Sequence, residues 1–125
     1  MDMALSGGEQ LHLGDGWRVN VLHTPGHTRG HLSLHDAHSR SLIIADAALY
    51  NAVLRKDGAH AFPPTYRYVD SYLSTIQRFQ AMPIDTLLTS HYPVYTGPGV
   101  QEFLSESRTF VERLDAAIHH DWQRR

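Results

Sequence analysis

The spacing of apolar residues changes once along this chain, from every second residue to every third or fourth. Trp17–Thr24 alternates apolar and polar side chains, which predicts a strand. Ser41–Ala45 is apolar on both faces, which predicts a central strand. From Tyr66 to Phe79 the apolar residues recur at three and four, and a second such stripe begins near Gly99. The sequence therefore predicts an α/β domain with the strands mostly first and two main helices.

Turn residues and prolines separate the remaining predicted elements. Pro83 is expected to end the first helix. Ala47–Thr65 is a long connection, and loops of that length are usually functional or cover a site. The other predicted strands are a short one at the start of Leu11–Gly16, His31–His35 and Ile84–Thr89. The last helix is expected to carry one apolar face, made of Phe103, Ser107, Phe110, Leu114, Ile118 and Trp122.

Composition excludes several classes of protein. A chain of 125 residues is one domain's worth, and 11 Lys+Arg against 13 Asp+Glu leave no basic excess for nucleic acid. The longest apolar stretch, around Leu42–Tyr50, contains Asp46 and is too short to span a bilayer. Met1–Gln10 lacks the basic and apolar regions of a signal peptide. We therefore expect a cytoplasmic protein with neither a nucleic-acid nor a membrane partner.

Ten histidines and no cysteine turn attention to metal sites made of imidazole and carboxylate groups. His27, Asp46 and His91 each follow a predicted strand, and ligand sites of α/β proteins lie at the carboxyl ends of strands. If the strands share a sheet, these side chains form a His₂-carboxylate set suited to zinc, iron or manganese. Each residue also has an alternative explanation when taken alone: His27 as a hydrogen-bond donor in a loop, Asp46 as a helix N-cap and His91 as a surface residue.

Three segments in order resemble the second half of the metallo-β-lactamase superfamily. They are Thr24–Leu34 (TPGHTRGHLSL), Ile43–Leu49 (IIADAAL) and Leu87–Val94 (LLTSHYPV), within a resemblance that runs from Leu11 to Phe110. The resemblance implies half of a four-layer αββα sandwich, with a mixed sheet and two main helices. Residues 1–125 would form a single domain like the C-terminal half. Two departures stand beside the ligands: Ala45 replaces the usual Gly, and Ser90 and Tyr92 flank the last histidine where Gly is usual.

The resemblance also implies a dinuclear hydrolase site, commonly with zinc. His27 would bind the first metal, Asp46 would bridge both and serve catalysis, and His91 would bind the second. A bridging carboxylate holds two cations about 3.5–4 Å apart and offsets part of their repulsion. The implied reaction is attack by a metal-bound hydroxide on a small-molecule ester, thioester or lactone.

The superfamily's other signature, HxHxDH, is not in this chain. The nearest string, His31–His38, has a different spacing and follows the TPGHT loop; it is better explained as a hairpin with a turn at Asp36–Arg40. By the family pattern His31 is a supporting residue. Three shared ligands should bind one or two ions only if the site is completed, so the isolated chain is expected to be weakly active or inactive. The alternative is a truncated, non-catalytic remnant that acts as a binding or assembly module.

The predicted sheet should have an uncovered apolar face. It would carry Trp17, Val19, Val21, Leu32 and Leu34, or their alternates. Because such patches rarely stay exposed, we expect a homo-oligomer or pairing with a first-half domain. Tyr92, next to His91, is a candidate lining residue of a pocket over the metals.

Overall fold

The computed structural model describes residues 3–124, in which a six-stranded sheet carries both helices. Met1, Asp2 and Arg125, which the predicted domain also includes, lie outside the described residues. The elements, in chain order, are β1 (Gln10–His12), β2 (Arg18–His23), β3 (Leu32–Asp36), β4 (Ser41–Ala45), β5 (Val53–Leu54), β6 (His60–Phe62), α1 (Val69–Gln80), β7 (Thr86–Thr89), β8 (Tyr95–Thr96) and α2 (Pro98–Gln123).

The main sheet is mixed, in the order β1-β2-β3-β4-β7-β8. The pair β4–β7 is parallel and joined through α1, whereas the other neighbours are antiparallel. The prediction of an α/β fold with a mixed sheet and two main helices is confirmed. The sequence pattern missed β8 and the separate β5–β6 hairpin, which lies inside the connection predicted for Ala47–Thr65.

One face of the sheet is sealed by the helices. The strand register places Leu42 beside Leu87, and both are fully buried with α1 and α2. The other members of this core include Ile44, Tyr72, Ile76, Phe79, Val100, Phe103, Leu104 and Val111. Burying such side chains contributes about 1.5–3 kcal/mol each, so this face holds the described chain together.

Within residues 3–124, no helix packs on the opposite face of the sheet. Val21, Leu34, Ile43 and Leu88 lie in one row across β2, β3, β4 and β7, and none of them belongs to the helical core. Val21 is buried by its neighbours, but Ile43 on a central strand is 46% exposed. Val21 and Leu34 lie on the same face of the sheet, as expected for the apolar face predicted from the sequence.

The last helix spans the whole predicted apolar stripe, but only the first half of that stripe is buried. Phe103 and Ser107 are buried, but the same stripe becomes exposed at Leu114, Ile118 and Trp122. The reason is length: α1 has 12 residues and spans about 18 Å, whereas α2 has 26 and spans about 39 Å. The carboxyl-terminal turns of α2 therefore extend past the elements that bury its first half. No helix in residues 3–124 is long and apolar enough to cross a membrane.

Candidate metal centre

The Thr24–Thr28 loop is pressed against the start of α1 by a glycine. Gly26 has φ +145°, and a Cβ atom there would lie 2.6 Å from the Cα of Tyr72. Its carbonyl oxygen accepts hydrogen bonds from the backbone N–H groups of Arg67 (2.9 Å) and Tyr68 (3.1 Å). Only glycine combines this conformation with so close an approach. The position of the next residue, His27, is therefore set by α1.

The ring of His27 is oriented by a carbonyl group far away in the sequence. Its Nδ1 is hydrogen-bonded to the backbone oxygen of Thr65. Since a carbonyl oxygen only accepts, Nδ1 carries a proton, and in the neutral ring the lone pair is on Nε2. Nε2 lies 3.8 Å from Oδ2 of Asp46. This second hydrogen bond is the usual device that fixes the tautomer of a metal-binding histidine.

Asp46 is aimed by an irregular end of β4. The pairing of β4 with β7 shifts register between Ile43 and Ala45, and Ala45 has φ +47°. The carbonyl oxygen of Ala45 accepts the N–H of Ser90 at 3.2 Å, which ties this turn to the loop after β7. Because an L side chain is strained at positive φ, glycine at this position, the residue the family pattern has, would be relaxed.

His31 lies behind Asp46 as a support. Its Nε2 accepts the backbone N–H of Asp46 at 3.3 Å, so its Nδ1 donates to Oγ1 of Thr24 at 3.1 Å. Thr24 in turn is hydrogen-bonded to the hydroxyl of Ser33 at 2.8 Å, and both residues are buried. Burial lowers the pKa of His31 and so favours the neutral ring, although the nearby charge of Asp46 acts in the opposite direction. These contacts suit the supporting position expected from the sequence.

His91 completes the group from the loop after β7. Its Nε2 lies 3.1 Å from Oδ1 of Asp46, so each imidazole faces a different carboxylate oxygen. Oδ1 is buried, and among residues 3–124 it receives no well-oriented hydrogen bond. The three residues singled out in the sequence are thus brought together at one edge of the sheet.

The donor set fits a metal, but incompletely. Two imidazole nitrogens and a carboxylate are ligands for zinc, iron or manganese, and an orphaned buried oxygen is a place where a cation would be stabilised. Yet no group of three or more His, Asp or Glu side chains within the described part of the chain is arranged to hold one ion. The shortest approaches within the cluster join each imidazole Nε2 to a different oxygen of Asp46.

Tyr92 has a structural task that the sequence did not indicate. Its hydroxyl donates to the carbonyl oxygen of Leu49 at 2.6 Å, with that of Ala52 at 2.8 Å also in reach. Burial raises its pKa well above the usual range, so the group stays protonated. Tyr92 borders a cleft, as expected, but its hydroxyl is engaged in tying the residues after Asp46 to the His91 loop.

Two clefts flank the cluster. One of about 530 Å³ is lined by His91 together with Arg55 and Lys56 of the β5–β6 hairpin. The other, of about 650 Å³, is lined by His27 and Arg67. Sequence reasoning did not single out Arg55 and Lys56. The signal was the Asp-Gly pair that follows Lys56, the only lysine in the chain, since Asp-Gly marks hairpin turns.

Comparison with solved structures identifies the fold. An archaeal metallo-beta-lactamase superfamily protein from Sulfolobus tokodaii is 24% identical, with a TM-score of 0.62 over 82% of this chain and 38% of that one. A metallo-beta-lactamase from Pontibacter korlensis is 18% identical, with a TM-score of 0.64 over 89% of this chain and 48% of that one. The inverting sec-alkylsulfatase Pisa1 from Pseudomonas sp. is 18% identical, with a TM-score of 0.67 over 98% and 19%. The chain spans less than half the length of each of these proteins.

Sequence comparison identifies the family. No curated protein matches the chain significantly. The sequence model of the metallo-beta-lactamase superfamily matches residues 4–91, more than half of the chain and a range that includes all three residues of the cluster. The protein belongs to the metallo-beta-lactamase superfamily.

Proposed function

We propose that this chain is the C-terminal half of a metal-dependent hydrolase that cleaves esters, thioesters or lactones. The observation that carries the proposal is the pairing of His27 Nε2 and His91 Nε2 with the two separate oxygens of Asp46. Residues 1–125 would form a single domain of this kind. Zinc is the expected metal, with iron or manganese as alternatives.

Each residue has a definite part in this proposal. His27 and His91 would each offer one Nε2 lone pair, and Asp46 would offer one oxygen to each side. His31 holds the backbone of Asp46, and Thr65 holds the ring of His27. When bound, the metal supplies a water of lowered pKa as the nucleophile near neutral pH. The rest of the chain positions these groups and the substrate.

The ligand count calls for a partner. A catalytic zinc ordinarily has three protein ligands, and two ions would share three here. We propose that a second body supplies the others by packing on the open face of the sheet, around Ile43. A second copy is one such body, and a domain that carries HxHxDH is the other.

Sedimentation tests the partner. If a second copy covers the open face, wild type should sediment as a dimer at micromolar concentration. Ile43→Asp should shift it to monomer, because the dimer interface would then have to bury a charge. Arg18→Asp, at an exposed position of β2, is the control for added negative charge. A wild-type monomer would contradict self-pairing and leave the HxHxDH domain as the partner to be added.

Metal content tests the site. Elemental analysis of the untagged chain, purified without chelator, should find about one or two zinc, iron or manganese ions per completed site. Asp46→Ala should remove the metal, and His27→Ala or His91→Ala should reduce it. His120→Ala, on the exposed end of α2, should leave it unchanged. Metal below about a tenth of an equivalent in every assembly tested, including one with an HxHxDH domain, would contradict the proposal.

A second candidate is a non-catalytic binding or assembly module. It is favoured by the lack, within residues 3–124, of any three ligand side chains set to hold an ion. Hydrolysis of a thioester by the zinc-supplied chain separates the two. Activity abolished by Asp46→Ala supports the enzyme, whereas inactivity both alone and with an HxHxDH domain supports the module.

A further inference from the structure

The cleft beside His91 joins the candidate centre to a basic hairpin. One wall is the loop after β7, with Ser90 and His91, and the other is the β5–β6 turn, with Arg55 and Lys56. The turn is held in shape locally, because Oδ1 of Asp57 accepts the backbone N–H of Ala59 at 3.0 Å. A space of about 530 Å³ is large enough for a small organic molecule.

The two cations on this hairpin have no partner of their own. Arg55 and Lys56 are exposed, and neither side chain makes an ion pair or hydrogen bond within residues 3–124. Within residues 3–124 no Asp or Glu lines the cleft; Asp57 lies in the same turn but is not part of the lining. The chain as a whole carries a net charge of −2. A local positive field against a negative background attracts anions into the cleft.

We propose that this cleft is an anion-binding subsite, so the substrate of the proposed hydrolase carries a carboxylate or phosphate group. Arg55 offers a planar fork of donors and Lys56 a point charge, the two ways in which proteins bind such oxygens. The anion would lie against the hairpin, and the scissile bond would lie toward Asp46. That the bound anion is part of a substrate rests on the proposed function. Binding of the anion itself does not need the metal.

The opposite cleft provides an internal comparison. It is lined by a single cation, Arg67, together with Thr28, Thr65 and Tyr66, beside His27. If charge alone near the cluster were enough, Arg67 would serve as well as the hairpin. We therefore expect the anion to bind at Arg55 and Lys56 together and not at Arg67 alone.

Titration of the full chain with succinate tests the subsite. Succinate binding is followed by NMR, with the chain as purified and after metal removal, and neutral succinamide is the matched probe. Arg55→Ala/Lys56→Ala should weaken succinate binding about fivefold in both preparations, because each exposed ion pair contributes modestly. Inorganic phosphate should show the same loss if phosphate esters are the natural class. Raising the salt should also weaken wild-type binding.

Two variants and one probe can overturn the assignment. Arg67→Ala and Arg18→Ala each remove an exposed positive charge outside the hairpin and should change succinate affinity less than twofold. An equal loss in Arg67→Ala, an unchanged affinity in the double variant, or equal binding of succinamide would each contradict the proposal. The double variant should keep the wild-type urea midpoint, since both side chains are exposed.

The same samples separate this inference from the proposed function. A chain that takes up no metal in any assembly, including one with an HxHxDH domain, yet binds succinate through Arg55 and Lys56 would contradict the hydrolase and support the anion site. A chain with metal whose succinate affinity ignores both residues would support the hydrolase and overturn the anion site.

Discussion

The two faces of the six-stranded sheet are built from the same strands and meet different surroundings. Leu42 and Ile43 are consecutive in β4, yet Leu42 is fully buried under the helices and Ile43 is 46% exposed. Both faces are apolar at the centre of the sheet, so composition does not distinguish them. The difference lies in what covers them: α1 and α2 bury Leu42, whereas no element within residues 3–124 covers Ile43 to the same extent.

The largest expected effect lies on the helix-covered face. Leu42→Ala should lower the free energy of unfolding by about 3 kcal/mol, because it opens a cavity among close-packed side chains. Ile43→Ala, one residue along, should cost less than about 1 kcal/mol in the monomer, because much of that side chain is already in water. Urea unfolding of both variants measures the contrast. Equal losses would mean that the open face is covered in solution.

The next largest loss of stability is expected at Gly26, which packs against α1 beside the candidate metal centre. Gly26→Ala should cost at least about 2 kcal/mol, since its Cβ would collide with the backbone of Tyr72 and its φ suits glycine alone. Displacement of the neighbouring His27 should reduce metal content as well. Gly30→Ala, in the same loop, meets no atom within 4 Å and should be nearly neutral. Thermal unfolding together with elemental analysis would show both effects.

A smaller effect of opposite sign is expected at the edge of the sheet. Ala45→Gly should stabilise the fold by about 0.5–1 kcal/mol, because relief of strain at φ +47° exceeds the added flexibility of the unfolded chain. Leu13→Gly, at an exposed position, controls for that added flexibility and should destabilise or be neutral. A loss of stability in Ala45→Gly would show that the alanine methyl makes packing contacts worth more than the strain.

The smallest effect is a pH dependence on the helix-covered side. His35 lies beside Leu42 in the register, its Nε2 is buried without a partner among the described residues, and burial lowers its pKa against the opposing charge of Asp36. The unfolded chain therefore takes up the proton first: this contribution to stability is full above about pH 6.5 and is lost as the pH falls through the lowered pKa.

Replacement of His35 isolates that contribution. His35→Leu should lose less stability than wild type between pH 7.5 and pH 5.5, measured as the shift of the urea midpoint. His12→Leu, at an exposed position of β1, should follow wild type. If His35→Leu follows wild type too, other groups carry the pH dependence.

Long periodic segments and strand-end residues were predictable. The strand Ser41–Ala45 has the predicted bounds, and the helix predicted from Tyr66 begins at Val69. His27, Asp46 and His91 could be singled out because each lies in the loop that follows a strand, and strand ends meet at one edge; the structure brings the three close together. The strands β5 and β8 have two residues each, too few for any period to register. Arg55 and Lys56 were missed with them, since their meaning depends on where that hairpin lies.

The sequence by itself determined which residues are apolar, where the chain turns, and which loops carry imidazole and carboxylate groups. These follow from local preferences and from the periods of helix and strand. Only the tertiary structure decided which apolar face the helices cover, because Ser41–Ala45 is apolar on both. It also decided the ring orientation of His27, through a hydrogen bond to Thr65, 38 residues away. Contacts of such sequence separation arise from packing, and no local pattern encodes them.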